Sequence, residues 1–309
     1  MEDLDKEPFS LLKNHQYDVF PLKESLIIIS DPNNKKFSIF DVGEMKNVKT
    51  LVIPENYEII ASNLDERNIM LRAINPSEIY QLKLLNLEKN SLITRYSGQR
   101  GVTDLWFTND KNSFFSYGKD KLFCKWEIYY KENHVMNEDQ IPIRVPVKKI
   151  KFDDPIVAIC FPREDIGYFV QNDKIIVYNM EKSKILKELK NHKESIIDLL
   201  HIPNTTECLS LDKGGNVKIW NTVKHKEIQS FKPINEQIEE LAFDSLNKHI
   251  IISTNENKII LFSLQTNTVL RTFESHKSPV LKIIMTKNNK FIVSIDKEVI
   301  QVRKNEYFS

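Results

Sequence analysis

The sequence predicts an all-β fold, a seven-bladed propeller of four-stranded antiparallel blades. The prediction rests on a strand-like run that recurs at a nearly constant interval, a second mark that keeps step with it, and weak helical periodicity throughout. The runs alternate in character and end in a large residue. Examples are Lys36-Phe37-Ser38-Ile39-Phe40-Asp41, Leu122-Phe123-Cys124-Lys125-Trp126-Glu127 and Asn216-Val217-Lys218-Ile219-Trp220-Asn221. Each sets alternate side chains on one face, and β-branched and aromatic residues suit a pleated surface. The runs end at Phe40, Leu85, Trp126, Tyr178, Trp220, Phe262 and Val302, at spacings of 45, 41, 52, 42, 42 and 40 residues. Such spacings fit a four-stranded blade, so seven ends predict seven blades.

The second mark is a small residue followed by a histidine or its substitute. It occurs at Asn14-His15, Gly98-Gln99, Asn191-His192 and Ser275-His276, which lie 25, 27, 28 and 26 residues before the next run's end. Ser30, Ser116, Ser210 and Ser294 follow these steps by 15, 17, 18 and 18 residues.

On these residues the chain resembles the WD-repeat β-propeller family. That repeat carries a Gly-His step, an Asp in the turn between the second and third strands, and a terminal Trp-Asp. The resemblance covers nearly the whole chain and is specific for fold rather than function. It implies a buried hydrogen-bond relay within a blade, from Asp through His and Ser to Trp. Blade three supplies Ser116, Asp120 and Trp126, with Gln99 in place of the histidine. Blade five supplies His192, Ser210 and Trp220, with Gly214 at the Asp position. Blade seven supplies His276, Ser294 and Asp296, with Val302 in place of the Trp; blade one supplies His15, Ser30 and Asn34, with Phe40 in that place. Blades two, four and six keep little beyond strand rhythm.

Closure is expected from the two ends of the chain. Seven residues follow Val302, too few for a full outer strand, whereas residues 9–13 read as a strand without a blade. The family layout pairs that N-terminal strand with the last blade, so that no sheet edge stays open. Residues 1–309 are therefore expected to form one domain.

Composition narrows the function classes. With 44 basic and 43 acidic side chains the net charge is +1, too balanced for a global field that would hold nucleic acid or an anionic membrane. No apolar run approaches the roughly 20 residues a bilayer span needs. The acidic start, Met1 to Pro8, lacks a signal-peptide layout, so an intracellular protein of cytoplasm or nucleus is expected. Cys124, Cys160 and Cys208 form no C-x-x-C pair and read as small buried hydrophobes.

No catalytic, cofactor or metal site is expected. His15, His134, His192, His201, His225, His249 and His276 fall in no metal-ligand spacing, and no G-x-S-x-G elbow occurs. Gly214-Gly215 has no following helix to cradle a phosphate and reads as a tight hairpin with positive φ. Adjacent carboxylates such as Asp153-Asp154 and Glu239-Glu240 point to opposite faces of a strand. The Phe-Arg-Arg-Gly motif of the phosphoinositide-binding propellers is missing. The Arg that follows Trp-Asp in propellers serving cullin-type ubiquitin ligases is replaced by Tyr129 and Val223.

The expected function is a non-catalytic protein–protein interaction scaffold, a subunit of a multiprotein complex. The turns of the His-bearing face offer Lys119, Asp120, Asp212, Lys213, Asp296 and Lys297, whose mixed signs suit oriented protein contacts. The long interval after Trp126 places Tyr129, Tyr130 and Met136 on an expected projecting hairpin of blade three, on the opposite face. The stretch from Lys182 to Lys190 is interleaved with Glu181 and Glu188 and reads as a solvated face. The alternatives are an RNA-associated subunit that uses a local basic patch, and an enzyme with its site in the central channel.

Overall fold

A computed structural model describes residues 18–31, 35–62, 67–108, 110, 112–128, 141–202, 204–244, 248–274 and 276–305. The described strands form seven antiparallel blades in chain order. The strands nearest the axis are Asp18–Lys23, Tyr57–Ser62, Val102–Phe107, Ile159–Arg163, Ile196–Ile202, Ile238–Asp244 and Lys282–Met285. Blade seven has three described strands, the last being Ile300–Lys304. Residues 9–13, the expected closing strand, lie outside the described residues, as do His15, Asn34, Tyr129, Tyr130 and Met136.

Second strands are buried on both faces, as in Ser113–Gly118, Ile166–Gln171 and His249–Thr254, because a neighbouring blade packs on each side. Simple in–out alternation is therefore blurred there, while outer strands such as Lys184–Leu189 are mostly exposed. The core divides into apolar clusters, one at each junction between successive blades. One of them joins Val19, Ile27, Ile29 and Phe40 of blade one to Ile284, Val293, Ile295 and Ile300 of blade seven. That contact closes the ring by side-chain packing.

Five of the expected run ends share one structural position. A register shift between the third and fourth strands falls at Ile39/Phe40, Leu84/Leu85, Val177/Tyr178, Ile219/Trp220 and Leu261/Phe262. Such a bulge adds twist and turns the outer strand away, with the large side chain packed at the bend. Blade seven differs from expectation. Trp220 pairs with Cys208, two residues before Ser210, whereas the residue two before Ser294 pairs with Arg303. Its turn is one residue shorter, which sets the Trp position nine rather than ten residues after the serine, at Arg303; Val302, eight residues after Ser294, falls on the opposite face.

Blade one corrects a second expectation. Ser30 and Phe40 keep the ten-residue interval of Ser210 and Trp220, but the turn holds one residue fewer, since Ser30 meets its partner seven residues on and Ser210 eight. Ser30 therefore pairs with Phe37 and Phe40 with Ile27, which puts Ser30 and Phe40 on opposite faces of the blade. A one-residue slip moves a side chain to the other face, so these two cannot belong to one relay.

Of the long interval after Trp126, residues 129–140, which carry the expected hairpin, lie outside the described residues; the chain on either side of them is described. The chain leaves blade three at Ile128, whose N–H donates to Asn112 O (2.8 Å). It returns by way of blade two, where Ile143–Arg144 adds as a fifth, parallel strand beside Arg95 and Tyr96. Arg95 fastens it, donating from its N–H to Pro142 O (2.9 Å) and from Nη2 to Ile141 O (3.0 Å). Ile141 is buried there, so burial and backbone bonding together hold the strap to blade two.

Candidate functional site

In blade five the strand pairing aligns Ser210 with Trp220 on one face, and the step before the inner strand brings His192 over them. Trp220 Nε1–H donates to Ser210 Oγ (2.8 Å), which lies 2.6 Å from His192 Nε2. His192 Nδ1 lies 2.8 Å from Asp212 Oδ2. A carboxylate accepts from Nδ1–H, which leaves Nε2 to accept the serine hydroxyl proton. Burial lowers the His192 pKa and outweighs the opposing hydrogen bond from Asp212, so the ring is held neutral.

Asp212 was not expected in this role, since Gly214 occupied the anticipated place. The turn explains it. Gly215 adopts φ +79°, and Asn216 folds back to donate its N–H (2.9 Å) and its amide to Asp212, fixing the carboxylate beneath the histidine. A Cβ on Gly214 would stand 3.0 Å from Asn216 Nδ2.

Blade three builds the same chain of donors without a histidine. Trp126 Nε1–H donates to Ser116 Oγ (2.7 Å), and the Ser116 hydroxyl donates to Gln99 Oε1. The Gln99 amide donates onward to Asp120 Oδ1 (3.4 Å) and Leu122 O (3.1 Å). In blade seven His276 Nε2 lies 2.8 Å from Ser294 Oγ, and Nδ1 lies 3.0 Å from Asp296 Oδ2. Burial lowers the His276 pKa. Burial pushes Asp296 up, but the N–H groups of Glu298 and Val299 and the His276 bond outweigh it and hold the carboxyl low. The Trp position is taken by Arg303, whose guanidinium lies over the Phe273 ring at 4.9 Å.

These placements change the docking expectation. Asp212 and Asp296 are 1% and 2% exposed and face inward to their histidines, so neither presents a carboxylate to a partner. Lys119, Lys213 and Lys297 are exposed, and Asp120 is half-buried.

Sequence reasoning missed a ring in the central channel. Pairing with the second strands places Asp18, Glu58, Asp104, Asp198, Glu240 and Lys282 at one level of the inner strands. The neighbouring pair Ile159–Phe169 puts Ala158 at that level in blade four. Lys282 Nζ lies 2.6 Å from Asp18, and Arg72 holds Glu58 at 2.6 Å. Asp104, Asp198 and Glu240 line a cavity of about 660 Å³. Burial, reinforced by the Asp104 charge, pushes Asp198 up to about 6. Burial and the Asp198 charge push Glu240 up to about 7. The signal was present in the sequence: each of these charged residues lies within the first three residues of its strand, just before two apolar residues, and recurs with the blade period except in blade four, where Ala158 takes its place.

Among the described residues no group of three His, Cys, Asp or Glu side chains is arranged to hold a metal ion. No helix of the described residues is long and apolar enough to cross a membrane.

No family model matches the chain. It is similar to a striatin homolog of Dictyostelium discoideum, 30% identical over 194 residues, which are 58% of this chain and 19% of that protein. A WD repeat-containing protein 89 homolog of the same organism is 33% identical over 113 residues, 36% of this chain and 30% of that protein. Cilia- and flagella-associated protein 52 of Mus musculus is 23% identical over 156 residues, 50% of this chain and 25% of that protein. The matched part is less than a third of each relative's length.

Proposed function

From a chain whose fold and relatives are those of WD-repeat β-propellers with degenerate repeats, we propose a non-catalytic protein–protein interaction scaffold, a subunit of a multiprotein complex built on one ring over residues 1–309. The observation that carries this reading is the fate of its most reactive-looking side chains. Ser210, His192 and Asp212 have the hydrogen-bond order of a nucleophilic triad. Ser210 is 0% exposed, however, and its oxygen is taken by the Trp220 N–H, so no substrate carbonyl reaches it. The constellation braces a blade. What faces solvent is a set of loops of mixed charge held on a rigid disc, which suits oriented protein contacts on two faces.

Affinity purification of the tagged protein from its native cells, at moderate salt, tests this. A stoichiometric set of co-purifying proteins is expected; recovery of the chain by itself overturns the reading.

A further inference from the structure

We propose that Cys160 and Cys208 are a latent disulfide, which a peroxide converts into a covalent staple between blades four and five. The proposal concerns the ring itself and is independent of what the ring binds.

Cys160 lies on the innermost strand of blade four, Ile159–Arg163, and Cys208 on the second strand of blade five, Glu207–Asp212. The two strands belong to different sheets, and the side chains meet in the apolar cluster at the junction of these blades. Their Sγ atoms are 3.4 Å apart, although 48 residues separate them along the chain. Both are free thiols, and both are 0% exposed. Tyr168, Val177, Leu199 and Trp220 pack in the same cluster, and the Tyr168 hydroxyl is turned to His225 Nδ1 (2.7 Å). The third cysteine, Cys124, is buried in another cluster, between blades two and three, so it offers neither sulfur a rival partner. Two sulfurs already in contact reach bonding distance by a small side-chain rotation.

Burial makes the pair latent. The thiolate, not the thiol, attacks a peroxide. Burial and the hydrogen bond with Cys208 push the Cys160 pKa well above its ordinary value, so in the closed junction this thiol stays protonated and unreactive. Oxidation waits for a transient opening that admits water and peroxide. One thiolate then attacks the peroxide, which forms a sulfenic acid and releases hydroxide. The second sulfur attacks the first, the S–S bond forms, and the sulfenic hydroxyl leaves as water. Two electrons pass from the thiols to the peroxide, and both thiol protons end in water. Reclosure returns the sulfurs to contact, so the second step outruns further oxidation. The bond closes a loop of 48 residues, which restricts the unfolded chain and opposes the parting of the two blades.

The test uses the full chain, reduced and freed of reductant, then exposed to hydrogen peroxide with and without urea below the unfolding midpoint. Remaining thiols are alkylated in denaturant, and unreduced peptides are mapped by mass spectrometry. One linked pair is expected, joining Cys160 to Cys208, with Cys124 recovered alkylated. Mild urea is expected to speed the linkage about tenfold. The oxidised chain is expected to unfold at a urea concentration about 1 M higher than the reduced chain, a gain that a dithiol reductant removes. Cys124→Ala should form the same link to the same extent. Linkage through Cys124, sulfinic acid at Cys160 or Cys208 in place of the bond, or both thiols left free in mild urea overturns the proposal. So does a linked chain that unfolds no later than the reduced one.

Discussion

Blades three and five solve one problem with different residues. Both must bury a tryptophan N–H and a serine hydroxyl between neighbouring blades, where an unmet polar group is costly. Blade five passes the hydrogen bonds from Trp220 through Ser210 and His192 to Asp212. Blade three passes them from Trp126 through Ser116 and Gln99 to Asp120. In both, the third member accepts with one atom and donates with another, and a carboxylate ends the chain. The requirement is the order of donors and acceptors, which a neutral imidazole and a carboxamide meet equally. They differ in one respect. The imidazole can take up a proton, with its pKa lowered by burial, and the carboxamide cannot.

Removing the first member in either blade should have the largest effect. Trp126→Ala and Trp220→Ala are each expected to cost about 4 kcal/mol in urea unfolding, through lost burial and the cavity left behind. A blade that tolerates the change would break the equivalence. Removing the middle member should cost less. Ser116→Ala and Ser210→Ala leave a buried donor and a buried acceptor unmatched, for about 2 kcal/mol each.

The comparison also shows what could be read from the sequence. Trp126 and Trp220 were legible because both turns hold the same number of residues, which keeps the ten-residue interval from the serine in phase with the pleat. Ser30 and Phe40 keep that interval and fail, because one residue fewer in the turn puts the two on opposite faces. In blade seven one residue fewer in the turn sets the Trp position nine residues after Ser294, at Arg303, whereas Val302 stands only eight after it. Interval alone cannot report turn length, so register was the uncertain quantity. Asp212 was missed for a related reason, since its reach to His192 depends on the Gly215 turn that brings Asn216 back to it. The channel carboxylates follow the blade period, but their convergence on one axis becomes visible only when the ring closes.

Those channel acids sharpen the contrast, because they respond to pH in the opposite sense to the histidines. The folded pKa values of Asp198 and Glu240 are raised above their ordinary values. The folded state therefore holds more protons than the unfolded one, and their contribution is lost as pH rises through about 6 to 7. Asp198→Asn with Glu240→Gln is expected to raise stability by about 1 kcal/mol at pH 8, and to change little at pH 5, by thermal melting. An unchanged pH 8 midpoint would place the strain elsewhere.

The histidine relays run the other way. His192 and His276 are lowered in the fold, so the unfolded chain takes up protons first as pH falls below the ordinary histidine value near 6.5. Their stabilisation is complete above that value and is lost on acidification. The decisive measurement compares melting of the wild type with His192→Gln, His276→Gln from pH 8 to pH 5, a difference from which the channel acids cancel. Gln99 already shows that a carboxamide fits this place in blade three. The variant is expected to fold at pH 8 within about 1 kcal/mol of wild type and to lose less stability as pH falls below 6.5. A variant that is severely destabilised at pH 8, or that declines with acid as steeply as the wild type, would contradict the equivalence of the two relays.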